Sequence, residues 1–410
     1  MGRALDIAVA GCGPAGLAAA LLLHRNGHRV TLFERFERPQ PIGSGLMMQP
    51  TGLAVLETLG LADAIRDRGS AVHRLYGASA PSGRAVLDVR YRALGPTAGC
   101  GYGVHRAALF DVLYEAALAE GFAIETGREM TGSETVGAGR RLRFRGGASA
   151  GPFDLVVDAL GHASTLAETC GRPLDYGALW ASLDWPTDSG LDPAALEQRY
   201  RRASVMVGVL PIGVAPARSV RQAAFFWSLR ADRLDGWRAA GLGLWKTEVL
   251  RVWPAVRPLL DQIDDPGQLT FARYTHRMLK SPIGPALVHI GDAWRSSSPQ
   301  LGQGANMALL DAYALALAVR EAHGVPEALD GFVKRRRAHA ALYHLLSAVF
   351  TPVYQSDSRI LPVIRDLVMG PVSKLWPATV VQAAMVSGLI GAPLGSLGLR
   401  RNPDSAAAAY

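Results

Sequence analysis

The sequence holds only three cysteines in 410 residues, Cys12, Cys100 and Cys170. Odd in number and far apart, they exclude a disulfide framework and point to a reducing compartment. No pair of them has metal-ligand spacing, so no metal site is expected. Charged residues make up 19% of the chain against 49% hydrophobic, which excludes disorder and indicates a globular protein with large cores. No window of about 20 residues is apolar enough to span a bilayer. No signal peptide opens the chain, since Asp6 follows almost at once, and a cytoplasmic protein is expected. No internal repeat is present. The basic residues behind the net charge of +8 are scattered apart from two short runs, Arg199–Arg202 and Lys334–Arg337, and Tyr200 is their one aromatic. That is too little for a nucleic-acid surface, and both runs read as solvated basic faces. The charge suits an anionic ligand such as a dinucleotide, or an acidic membrane surface.

Glycine, by contrast, is abundant and placed. Ile7–Ala10 reads as a buried strand, followed by Gly11-Cys12-Gly13-Pro14-Ala15-Gly16, a helix rich in Ala and Leu, a second strand Val30–Phe33, and Glu34 at its end. A strand, GxGxxG, helix, strand and acid in register form a dinucleotide fingerprint. The glycines allow the tight turn, the approach of a pyrophosphate and close helix–strand packing, and the acid accepts from ribose hydroxyls. Arg35 follows Glu34, either as a solvated charge or as a contact to the adenosine end. A second glycine-rich stretch, Gly291 to Ala312, runs from a short apolar segment into a helix. Within it Pro299, Gly302, Gln303 and Gly304 form a loop whose backbone can approach a ligand at a helix N-terminus, and Asp292 would accept from a sugar hydroxyl. Ile42-Gly43-Ser44-Gly45-Leu46 is a third glycine segment, read either as another approach to the cofactor or as a plain loop. Arg106 opens a helix that Gly121 ends, and is a candidate for the phosphate or ribityl region.

Between these motifs Arg74 to Tyr91 reads as two strands around a Pro81-Ser82-Gly83 turn. Asp158 ends a buried strand, Leu155–Asp158, either on the ligand side or as the cap of the next turn. From Tyr176 to Lys280 the chain alternates and is richer in Trp and Arg, which predicts a mostly antiparallel sheet with helices. Phe226, Trp227, Tyr274 and Trp294 are candidate pocket residues, with plain core as the competing assignment. His276 is read as structural. The tail from Leu361 to Leu399 is apolar but broken by Pro and Gly, with Arg359, Arg365, Lys374, Arg400 and Arg401 around it. It reads as a helical cap over the pocket, with peripheral membrane docking as the alternative. Residues 404–410 are expected to be disordered.

Three motifs occur in one order: the dinucleotide fingerprint, Asp-Leu-Val-Val-Asp-Ala-Leu-Gly up to Gly161, and Gly-Asp-x6-Pro-x2-Gly-Gln-Gly-x-Asn over 291–306. Together they resemble the FAD-dependent aromatic hydroxylases, the group A flavoprotein monooxygenases of the para-hydroxybenzoate hydroxylase fold, over roughly residues 5 to 340. The resemblance implies an α/β protein: a Rossmann-like FAD-binding domain, a mixed or antiparallel-sheet substrate domain, and C-terminal helices. It places the FAD-binding domain in 1–73, 99–175 and 281–325, substrate-domain strands in 74–98, the substrate-binding domain in 176–280, and a helical cap and tail in 326–410. It implies that Gly11, Gly13, Pro14, Ala15, Gly16, Glu34, Arg35, Arg106, Asp292, Pro299, Gly302, Gln303, Gly304 and Asn306 hold FAD. The Gln303-Gly304 backbone would face the pyrimidine side of the flavin. It further implies that reduced flavin and O2 form a C4a-hydroperoxide. The apolar tail and the aromatic middle point to hydroxylation or epoxidation of a hydrophobic small molecule, aromatic or prenylated. The flavin carries the chemistry, and no catalytic acid or base stands out.

Two departures bear on the reductant. The family's middle Ala-Asp-Gly, tied to FAD and NADPH, is Ala159-Leu160-Gly161 here, and its Gly-Asp-Ala-Ala-His is Gly291-Asp292-Ala293-Trp294-Arg295. NADPH or NADH is therefore one expected reductant and a separate reductase the other. The variant motif resembles the branch with flavin halogenases, squalene epoxidase and prenyl reductases, although the halogenase Trp-x-Trp-x-Ile-Pro is absent. No second GxGxxG unit marks an NADPH domain. A partner-reduced reductase, dehydrogenase or halogenase-like enzyme, and a non-catalytic flavin-binding protein, are the alternatives.

Overall fold

The computed structural model describes residues 3–40, 43–80 and 82–400. Ile42, Pro81, Arg401 and the 404–410 tail, all named above, lie outside the described residues. A six-stranded sheet is ordered Ile283–Gly284, Leu287–His289, Leu155–Asp158, Asp6–Ala10, Arg29–Phe33, Ala123–Glu125. All its pairs are parallel except the first. Ile7 to Ala10 are wholly buried, as a parallel strand covered on both faces requires. Ile7 and Val9 point to the helices Pro14–Arg25 and Gly304–Glu321. Ala8 and Ala10 meet Leu142, Phe144 and Phe153 of a three-stranded antiparallel sheet.

A second, eight-stranded sheet is ordered Arg295–Ser296, Thr270–Met278, Arg172–Asp184, Arg221–Arg230, Val205–Val214, Ala195–Arg201, Arg74–Ser79, Ala85–Arg90. Its one parallel pair joins Ala195–Arg201 to Arg74–Ser79, so the sheet is mixed. The period of two divides its residues between two faces. Leu179, Val207, Phe225 and Trp227 pack on Trp245 and Val249 of the helix Leu234–Val252. Leu210, Ile212 and Ala224 on the opposite face meet Met47 of the strand Gly45–Met48. That face packs on the three-stranded sheet that this strand forms with Gly101–His105 and Ser70–Val72. Gly45 permits the contact, because a Cβ there would stand 2.5 Å from Ile212 Cγ2 and 2.8 Å from Ala224 Cβ.

The helix Val325–Tyr354 leads into short helical segments, among them Ala378–Val386. Ala383 and Val386 join the cluster of Met47, Tyr91 and Leu210, so this part of the tail closes the space between the sheets. Among the described residues no helix is long and apolar enough to cross a membrane.

Candidate active site

The first glycine turn divides its work among three residues. Gly11 has φ +104°, and a Cβ there would lie 2.6 Å from the Ala159 carbonyl oxygen. At Gly16 a Cβ would lie 1.9 Å from the Gly11 carbonyl oxygen. Both are glycine because backbone passes against backbone. Gly13 differs: a Cβ there meets nothing within 4 Å, although Cys12 and Ala15 on either side are buried. Gly13 caps the helix that Pro14 opens, so free N–H groups and the positive dipole end face this open space. Gly304, at the start of the helix Gly304–Glu321, likewise has nothing within 4 Å of its Cβ position. Each is a helix N-terminus bordering open space, a cradle of the kind that fits a pyrophosphate.

Glu34 ends its strand with Oε2 accepting from Cys12 N–H at 2.9 Å and Oε1 from Phe36 N–H at 3.1 Å. The carboxylate is thereby fixed beside the turn. The Cys12 thiol is pushed up to about 12 by burial and then by Glu34, so it is a packing group and not a nucleophile. Arg35 is exposed and lies over the Phe36 ring at 4.5 Å. Arg106 starts the helix Arg106–Glu120, which His105 caps through Nδ1 accepting from Ala107 N–H at 3.1 Å. Its side chain lies along Gly43, whose Cβ position is 3.0 Å from Arg106 Nε. Asp292 is open to solvent yet walled by protein, as expected at the floor of a recess. Burial pushes its carboxyl up, while Arg106, Arg295 and His162 oppose the shift. Arg106 also acts on the Tyr274 phenol, which burial raises well above its ordinary value. Arg106, Asp292 and Tyr274, about 190 residues apart at the extremes, thus share one electrostatic environment.

In the second motif Pro299–Leu301 forms one turn, and Gly302 then takes φ +61° with its N–H on the Pro299 carbonyl at 2.9 Å. Asn306, expected to touch the cofactor, faces inward. Its Oδ1 accepts from Gln49 N–H at 2.8 Å, and its Nδ2 donates to Met47 O at 2.9 Å and Gly302 O at 3.1 Å. Wholly buried, it ties the loop to the Gly45–Met48 strand. The Gln303 side chain likewise turns to the tail, donating to Val386 O. This leaves the backbone of 302–304 to line the recess.

A family model described as "FAD binding domain" matches residues 4–344. The chain belongs to the FAD-dependent aromatic hydroxylase family. The 3-amino-4-hydroxybenzoate 2-monooxygenase of Streptomyces cremeus is 30% identical over 360 residues, covering 83% of this chain and 86% of the relative. The 6-methylpretetramide 4-monooxygenase of Streptomyces rimosus is 28% identical over 383 residues, 89% and 88% of the two chains. In fold, the chain matches Klebsiella pneumoniae HpxO complexed with FAD and uric acid, at TM-score 0.78 and 19% identity over 95% and 98% of the two chains. The protein is a FAD-dependent monooxygenase. FAD is its cofactor.

Of the aromatic pocket candidates, Tyr274 borders the recess, where its Oη accepts from Trp180 Nε1–H at 2.9 Å. Trp180 also packs on Phe226, ring centroids 4.7 Å apart. Phe226 itself is 5% exposed, covered by Tyr200 and Tyr354. Trp227 lies on the other side of the sheet, edge-on to Trp245 at 6.5 Å. Neighbours in a strand cannot share a face, so Phe226 and Trp227 were never both available to one pocket. Trp294 is wholly buried against Phe332 in the core cluster that also holds Ile7 and Val9. Asp158 is a cap: it accepts from Leu160 N–H at 3.0 Å and Ser164 Oγ–H at 2.6 Å, and pairs with His289 Nδ1 at 2.6 Å.

Sequence reasoning misses a buried charge network behind the second motif. Asp311 Oδ2 accepts from Gly291 N–H at 3.0 Å and Arg295 Nη1 at 2.7 Å, and Oδ1 accepts from Arg336 Nε at 2.8 Å. Arg336, in a run expected to be solvated, is 0% exposed. Its Nη1 donates to His339 Nδ1 at 2.9 Å, and His339 Nε2–H donates to Gly388 O at 3.1 Å. The signal was available: Asp311 interrupts the apolar face of its helix, where an acid needs a cation. The His339 imidazole is held neutral, pushed down to about 3 by burial and then by Arg336. A folded-state pKa below the unfolded value of about 6.5 gives stability that is present above that pH and lost as pH falls toward the folded value. His339→Gln, which keeps an acceptor and a donor, is therefore expected to flatten the loss of thermal stability between about pH 6.5 and 4. Melting curves of both proteins across that window would check this, and parallel slopes would contradict it.

Proposed function

We propose that the protein hydroxylates or epoxidises a hydrophobic, aromatic or prenylated small molecule, with O2 as the source of the inserted oxygen. Supporting this is the sheet face opposite the FAD cradle, where the Trp180–Tyr274 pair adjoins Leu210, Ile212, Ala224 and Met47. It is largely apolar; of its hydroxyls, Tyr91 is spent on Gln49 Oε1 and Ser182 is paired with Ser44 and His105, which leaves Tyr274 to meet the polar substituent of a planar ring. Bound FAD supplies the oxygen-activating chemistry. The chain's part is to orient the ring, exclude water and hold charge. The Tyr274 hydroxyl uses a lone pair on Trp180, which aims its own proton away from Trp180, and Arg106 balances negative charge nearby. The relatives' names, an aminohydroxybenzoate and a pretetramide monooxygenase, favour a phenol-type ring. Tyr274→Phe is expected to lower kcat/KM by about tenfold, the value of one hydrogen bond to a polar group, with flavin content unchanged. Steady-state turnover on a panel of phenols and quinols tests both statements, and turnover of only small, highly charged ligands would defeat the reading.

A second reading concerns the reductant. The side chain of Leu160, in place of the family's Asp, packs against the buried cluster that contains Phe144 and Phe153. Asp158 cannot substitute, because it is wholly buried and engaged by Leu160, Ser164 and His289. This favours reduction of the flavin by a separate reductase over direct use of NADPH or NADH. Anaerobic titration separates the two. Bleaching of the flavin by a nicotinamide cofactor in the presence of one phenol means direct reduction, whereas bleaching only with an added flavin reductase means partner reduction.

A further inference from the structure

The segment after the long helix is folded inside out. Residues 361–372 run as consecutive helical turns, Leu361–Ile364, Arg365–Met369 and Gly370–Val372. The residue turned toward the protein is charged: Arg365 is 0% exposed, bonded to Asp366 at 2.8 Å, with its guanidinium 4.8 Å from the Tyr200 ring centroid. Gly370 seats the segment against the edge strand Ala85–Arg90, its Cβ position 3.0 Å from Ala85 O. The aliphatic residues point outward. Ile360, Leu367, Val368, Leu375 and Trp376 are 70%, 58%, 55%, 62% and 81% exposed. Among the described residues, nine of the fourteen exposed large hydrophobics fall between Ile360 and Val381. A concentration of this kind is covered by something.

Charge decides between occupants. From Ser358 to Arg400 the only acid is Asp366, and it is already engaged by Arg365. Arg359, Lys374 and Arg400 are exposed. A second copy of the same face would bring cation to cation around an apolar centre, whereas an anionic lipid surface complements both the cations and the aliphatic side chains. An exposed Trp beside Lys374 suits the headgroup boundary. We infer that this face docks the protein on the surface of a membrane containing anionic lipids. The docking is peripheral, since no described helix is long and apolar enough to cross. It does not depend on the substrate proposed above.

The test uses the full chain with FAD bound and flotation with vesicles of phosphatidylcholine alone or mixed with phosphatidylglycerol. The protein is expected to float with the mixed vesicles, less so as salt rises. The double variant Leu375→Glu, Trp376→Glu should lower the partition coefficient at least about tenfold, and Lys374→Glu about fivefold. Leu118→Glu, at an exposed site on the helix Arg106–Glu120, should float as the parent does. Flavin absorbance of each variant reports that the fold is intact. Absence of flotation, or equal flotation of the parent and the double variant, would overturn the inference. So would a dimer in sedimentation that the double variant disperses while vesicles recruit nothing.

Discussion

Gly13→Val is expected to yield a folded but colourless protein. The backbone there has φ −81° and ψ 177°, which valine adopts without strain, and the added atoms meet no protein atom within 4 Å of the Cβ position. The substitution costs the fold only the difference between glycine and valine at a helix N-cap, about 1 kcal/mol. It fills the space we propose for the pyrophosphate, so FAD affinity should fall by at least about a hundredfold, or roughly 2.7 kcal/mol. Gly16→Ala is expected to do the opposite. Its Cβ would sit 1.9 Å from the Gly11 carbonyl oxygen, and neither backbone can yield cheaply, so the fold itself loses about 3 kcal/mol or more. Flavin titration and the unfolding midpoint of the apoprotein, measured on both variants, separate the two roles. If Gly13→Val kept its flavin, the open space at that turn would not be the pyrophosphate cradle.

That contrast also marks where the sequence was legible. The turn at Gly11, the acid at Glu34 and the loop at Gly302 are local events, each dictated by a few consecutive residues with backbone demands only glycine meets. The strand and helix positions followed from period and from stops such as Gly121, which takes φ +72° at the end of its helix. What sequence could not give were inside–outside assignments at long range. Arg336 sits between exposed Lys334 and Arg337 and looks solvated until the fold brings Asp311 to it. Asn306 and Gln303 lie within the cofactor motif but spend their side chains on Met47 and Val386, in segments about 260 and 80 residues away. Trp227 differs from Phe226 by one step along a strand, and no composition argument tells which face of the sheet each takes.

Long-range bonds from buried side chains let the loop from 299 to 304 present bare backbone. Asn306 holds it from the Gly45–Met48 strand. Gln303 holds it from the tail. Asp311 fixes the Gly291 N–H at the start of the motif. Three buried side chains from one helix region take up the orientation, so the residues nearest the ligand need no side chain of their own. This places the positioning work one layer behind the recess.

The largest expected loss of stability follows from that layer. Asp311→Asn keeps the shape but removes the negative charge between Arg295 and Arg336, which are 8% and 0% exposed. Two guanidiniums then face each other in the interior with no counter-charge, and breaking a buried ion pair in this way costs about 3–5 kcal/mol. Burial raises the Asp311 carboxyl, but the two cations outweigh it and hold the group below the ordinary carboxylate range. The stability it contributes is thus present above the unfolded value of about 3.9 and is lost as pH falls through the folded one. Asp311→Asn should therefore be less stable than the parent at neutral pH, with the two converging in strong acid. Because Gly291 N–H loses a charged acceptor for a neutral one, FAD should also dissociate about tenfold faster. Chemical unfolding with FAD saturating, repeated from neutral to acid pH, measures the first effect, and stopped-flow flavin release the second. An unfolding midpoint equal to that of the parent at neutral pH would mean that Arg295 and Arg336 are balanced by water or other groups, and that Asp311 does not hold the motif to the helices behind it.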